Sequence, residues 1–110
     1  MRFRVVGTLL VLGLQTPGAI AQESAVPNPG AQVEQAVLAA PPSLQEGATV
    51  LGYGGEALKE DPLTLLREGT NELICLADDP SAPAFHVACY HRSLDGFMSL
   101  GRRLKAAGMG

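Results

Sequence analysis

The residues with the chemistry of a site are crowded into one stretch. Leu73 to His91 contains both cysteines of the chain, Cys75 and Cys89, and both histidines, His86 and His91, together with the acidic pair Asp78-Asp79. Two cysteines fourteen positions apart can form a disulfide, bind a metal as thiolates or act as a redox couple. A redox couple normally takes the form C-x-x-C at a helix start, and that is absent. His86 and His91 could serve as a general base or as metal ligands, but a base needs a positioned partner. Asp78 and Asp79 could act as an acid and base, although Asp-Asp-Pro is above all a turn opener whose side chains bond the following backbone.

The elements that carry these residues decide between the alternatives. Glu72 to Ala77 and Ala84 to Tyr90 are apolar and aromatic, and the segment from Asp78 to Pro83 is dense in turn formers, so the stretch predicts a β-hairpin with a wide loop. Pairing symmetric about Ala82 sets Cys75 opposite Cys89, Ala77 opposite Val87 and Asp79 opposite Phe85. Period-2 alternation then places Cys75, Ala77, Phe85, Val87, Cys89 and His91 on one face, with Ile74, Leu76, His86, Ala88 and Tyr90 on the other. Facing cysteines favour a structural disulfide. A metal site of Cys75, Cys89 and His91 is the alternative, and His86 falls on the wrong face to join it. Both faces are largely apolar, so each requires a cover.

The N-terminus bounds where the chain works. Met1-Arg-Phe-Arg4 is basic, Val5 to Leu14 is apolar, Pro17-Gly18 breaks the run, and Ala19-Ile-Ala21 has the small-x-small form of a signal-peptide cleavage site. The apolar run is about half of the roughly 20 residues that a membrane-spanning helix needs. Cleavage between Ala21 and Gln22 is expected, giving an exported protein, periplasmic or extracellular, with no stable membrane anchor. It removes Arg2 and Arg4, so the formal charge of −3 becomes −5, and 89 of the 110 residues remain. An acidic balance without tryptophan excludes nucleic acid as a partner, since phosphate affinity rests on clustered Lys and Arg. A domain this short is marginal on hydrophobic burial alone, and an oxidising compartment permits the crosslink that would help it.

The organisation that follows is a signal peptide over 1–21, a flexible mature N-terminus over 22–30 and one α+β domain over 31–110. Ala31 to Ala40 is a short helix stopped by Pro41-Pro42, and Ser43 to Glu46 is a further helical turn ended by Gly47. Ala48 to Tyr53 is a strand, Gly54-Gly55 a turn, Glu56 to Lys59 a return strand and Leu63 to Arg67 another, so the sheet is expected to be a small antiparallel β-meander covered by short helices. Ser93 is the expected cap of a helix from Leu94 to Ala107, with Asp95 in its first turn and Arg102, Arg103 and Lys105 matching the dipole at its end. Its stripe of Leu94, Phe97, Met98, Gly101 and Leu104 is the expected cover for the hairpin. The sequence stops almost at once after this helix, and a C-terminally shortened copy of a longer protein is one expectation.

Other motifs fall away. Gly52-Tyr-Gly-Gly55 is a turn and not a phosphate cradle, because no well-capped helix follows it. His91-Arg-Ser-Leu-Asp95 matches a kinase catalytic loop in letters alone, with Ser93 where Asp is required. No nucleotide, zinc-protease or hydrolase fingerprint occurs, and no cofactor is implied.

Ala36-Val-Leu-Ala-Ala-Pro41, Gly69-Thr-Asn71, Cys75-Leu-Ala-Asp-Asp-Pro80 and Phe85-His-Val-Ala-Cys-Tyr-His91 resemble segments of a group of exported bacterial proteins to which no activity is attached. The resemblance runs from about Val33 onward. It implies export and a longer chain, and it transfers no catalytic residue. The sequence therefore points to a disulfide-stabilised structural or protein-binding module rather than an enzyme. The alternative is part of a small periplasmic enzyme or metal-binding protein using His86 or His91, completed by a missing C-terminal region.

Overall fold

The computed structural model describes residues 26–109, so the signal peptide and its cleavage site lie outside the described residues. Helix α1, Pro29–Ala36, starts two residues before the expected point because Asn28 caps it, its side chain accepting from the Ala31 N–H at 2.8 Å. A 3-10 turn, Val37–Ala39, and the one-turn helix α2, Pro42–Gln45, follow on either side of the proline pair. Five strands then form one sheet: β1 Thr49–Gly52, β2 Glu56–Ala57, β3 Thr64–Arg67, β4 Leu73–Leu76 and β5 Ala88–His91. A 3-10 turn, Arg92–Leu94, leads into helix α3, Asp95–Ala106.

The fold class is α+β, as expected, but the sheet is mixed and not a meander. Its order is β2-β3-β1-β4-β5, and β1 runs antiparallel to β3 and parallel to β4. The return strand Glu56–Ala57 does not lie back on β1; it pairs with the outer side of β3 and is exposed. Burial explains the change. All four residues of β1 are buried, so the apolar strands β3 and β4 take its two sides and the polar Glu56-Ala57 is left for the edge. The chain passes from β3 to β4 by crossing the start of β1, where the Gly47 carbonyl accepts from the N–H groups of Thr70 and Asn71. A Cβ on Gly69 would stand 2.2 Å from that carbonyl oxygen, so only glycine allows the crossing.

Alternation along the strands divides the core in two. Val50, Cys75 and Ala77 pack with Ala36, Val37, Ala40 and Ala48 beneath α1. Leu51, Ile74 and Tyr90 pack with Leu63 on the other face, where Met98 of α3 reaches them. Gln32, 2% exposed, ties α1 to the sheet: its amide donates to the carbonyls of Tyr53 and Pro27 and accepts from the Tyr53 N–H.

Helix α3 does not cover the hairpin with the expected stripe. Phe97 is 77% exposed, and Leu94, Leu100 and Leu104 are exposed beside it. Of that stripe Met98 faces inward, with Arg102 one turn on, and at 3.6 residues per turn Phe97, Leu100 and Leu104 share a different face. The inward face is chosen by a polar anchor, described below, rather than by the largest apolar side chain. Phe97→Ala should shift the unfolding free energy by no more than about 0.5 kcal/mol, as for surface positions, and thermal unfolding checks it. Gly108 closes the helix: at φ +81° its N–H donates to the Lys105 carbonyl, while the Met109 N–H donates to that of Leu104.

Candidate functional site

The hairpin has the expected register. Cys75 pairs with Cys89, Ile74 with Tyr90, Leu73 with His91 and Leu76 with Ala88. The Arg92 N–H donates to the Glu72 carbonyl, which makes positions 72 and 92 a hydrogen-bonded pair and therefore Cys75 and Cys89 a non-hydrogen-bonded one, in which side chains come closest. The two sulfurs form a disulfide of 2.04 Å, with Cys75 fully buried. With both thiols consumed, neither can act as a thiolate ligand beside His91. The ladder stops at Leu76 and Ala88, so the further pairs expected at Ala77 with Val87 and Asp79 with Phe85 do not form, and Phe85 is exposed.

Both histidines are exposed and far apart in role. His91 Nδ1 accepts from the Ser93 N–H at 3.1 Å and lies 2.9 Å from the Ser93 hydroxyl, so His91 caps the 3-10 turn, while α3, which Ser93 was expected to cap, starts after Leu94 with no side-chain cap. Of the acidic pair, Asp79 behaves as the expected turn opener and Asp78 bonds across the loop instead. Asp79 Oδ1 accepts from the N–H and hydroxyl of Ser81, and these bonds hold its carboxyl below the usual carboxylate range. Asp78 Oδ1 accepts from the His86 N–H at 2.8 Å, closing the base of the loop. Among the described residues no group of three or more His, Cys, Asp or Glu side chains is placed to hold a metal ion.

What the loop does build is a groove of about 550 Å3 between itself, the sheet and α3. Leu63, Leu76, Ala88 and Met98 form its apolar interior, and Tyr53, Asp78, Asp79, His86 and Lys105 bring polar groups to it. Burial, and after it the charges of Asp79 and Asp78, push the Tyr53 phenol up, so it stays protonated. The volume lies in the range of small-molecule sites.

Beside the groove lies the anchor of α3. Arg102 donates from Nε to Asp61 Oδ1 at 3.1 Å and from Nη2 to Oδ2 at 2.7 Å, a two-point pairing with the side chains 13% and 7% exposed. Its Nη1 donates to the Tyr90 hydroxyl at 3.0 Å, and that hydroxyl donates to Asp95 Oδ1 at 2.6 Å. Burial and the bond to Asp95 push the Tyr90 phenol up to about 12. Burial alone would lower the Arg102 basicity, but the bonds to Asp61 and Tyr90 raise it. Burial likewise works against the Asp61 carboxylate and is outweighed by Arg102 and the Leu63 N–H, leaving its carboxyl below the usual range. The donors and acceptors are spent on one another, which suits fixing a helix and leaves no free base. Asp61 and Arg102 stand 41 positions apart, and Arg102, expected only to match the helix dipole, carries no sequence mark of this partner.

No protein-family model, curated protein or solved structure matches the chain. Its site is therefore understood from its own residues.

Proposed function

We propose that the protein is an exported, disulfide-clamped binding module and not an enzyme, with the groove between α3 and the 77–87 loop as its working site. The single observation that carries this is the groove itself: an apolar interior of useful volume, walled by a loop that the Cys75–Cys89 bridge and the Asp78–His86 bond fix at its base. Export is supported by the basic, apolar and small-residue pattern of residues 1–21, by the resemblance to exported bacterial proteins and by the disulfide, which persists in oxidising compartments. No helix among the described residues is long and apolar enough to cross a membrane. His86 lines the groove but has no side chain positioned as a base partner among the described residues, which favours binding over catalysis.

The test is a titration of the oxidised protein with Nile red, an uncharged apolar dye. Saturable binding of one dye per chain is expected, abolished by Ala88→Phe, which fills the interior from a strand position that tolerates aromatic residues. Equal binding by that variant would place the dye elsewhere and end the proposal. A protein partner is the second reading, favoured by the exposed Phe97, Leu100 and Leu104 of α3 and Leu94 just before it, an apolar patch of the kind that marks interaction sites.

A further inference from the structure

We infer that the groove takes an amphipathic cation, an apolar body carrying one ammonium head; this rests on the binding role proposed above. The apolar part follows from the interior of Leu63, Leu76, Ala88 and Met98. The sign of the head follows from the charges at the mouth. Asp78 and Asp79 both line the groove, and each has one carboxylate oxygen committed: Asp78 Oδ1 to the His86 N–H and Asp79 Oδ1 to Ser81. These bonds fix both carboxylates in place. The second oxygen of each accepts no hydrogen bond among the described residues, so each of these lining carboxylates keeps one acceptor uncommitted.

The cations that line the groove do not cancel them. Arg102 is spent on Asp61 and Tyr90, with a further approach to Asp95 of 3.6 Å, and its guanidinium is only slightly exposed. Lys105 remains as one exposed ammonium against two carboxylates. One negative charge is left over at the mouth, in a chain whose formal charge is already −3. A cationic head therefore gains both Coulomb attraction and hydrogen-bond acceptors, a neutral head gains less, and an anionic head meets the surplus of its own sign.

Three probes with the same apolar chain separate these cases: octylamine, octanol and octanoate, titrated at pH 7 into the oxidised protein and followed by the amide NMR shifts of Ala77, His86 and Ala88. Octylamine is expected to bind about fivefold more tightly than octanol, the gain of one ion pair at a solvent-facing mouth, and octanoate most weakly. Asp78→Asn with Asp79→Asn keeps the Oδ acceptors that shape the loop and should bring octylamine to the affinity of octanol, leaving octanol unchanged. Octanol or octanoate binding as tightly as octylamine would overturn the choice of a cation while leaving the binding role intact. Failure of all three probes to shift those amides would overturn both.

Discussion

Replacing Cys75 and Cys89 together by alanine is expected to lower the unfolding free energy by about 3 kcal/mol, the chain-entropy value for a loop of about 15 residues. The bridge joins positions 14 apart across strands that pair over only four residues each, Leu73–Leu76 and Ala88–His91. Beyond Leu76 the loop is tied only by the Ala77 N–H, which donates to the Leu51 carbonyl, and by the Asp78–His86 bond across its base. Without the crosslink the unfolded chain regains the freedom of that loop, and a domain of this size has little stability to spare. Urea unfolding of the double variant, and of the unaltered protein with reductant, should show the same loss. A loss below about 1 kcal/mol in both, a third of the expected loop-closure value, would mean that the sheet alone holds the loop.

The second large effect belongs to the pair that anchors α3. Asp61→Ala leaves the nearly buried Arg102 guanidinium without its two-point partner and should cost about 3–5 kcal/mol, the range for breaking one side of a buried pair. Combining it with Arg102→Met removes the orphaned charge and should restore part of that loss, as an apolar side chain of similar length can pack beside Met98. The pair also gives a pH dependence of defined sign. The folded Asp61 carboxyl lies below its unfolded value, so its stabilisation is complete above about pH 4 and is lost as the pH falls through the folded pKa. Tyr90 acts at the other extreme: raised to about 12, it stabilises fully below its ordinary value and is lost as the pH rises through the folded one. In Asp61→Ala the acid limb of the unfolding curve should flatten, which chemical denaturation between pH 2 and pH 6 reads directly.

Local signals in the sequence carried the hairpin. Turn formers from Asp78 to Pro83 and apolar runs on either side set the register, and the register alone placed Cys75 against Cys89. Pro41-Pro42 likewise marked where the first helical stretch stops, although it passes from α-helix to a 3-10 turn at Val37, and Gly47 marked the end of the one-turn helix after it. The sheet order was not legible, because β1 chooses between β2, β3 and β4 by burial, and no residue of Thr49–Gly52 advertises a parallel neighbour. The orientation of α3 was missed for a related reason. Its apolar stripe pointed to Phe97, but the helix is turned by the bond of Arg102 to an aspartate 41 positions away. The groove was hidden as well: its polar members were visible one by one in Tyr53, Asp78, Asp79 and His86, yet their convergence depends on where α3 lands.

Export and the clamp are read together by the intact mass of the protein recovered from outside the cytoplasm, measured without reductant. A chain beginning at Gln22, two hydrogens lighter than its dithiol form and free of metal, is the predicted result. A chain still beginning at Met1 in the membrane fraction, or one carrying two free thiols, would contradict it.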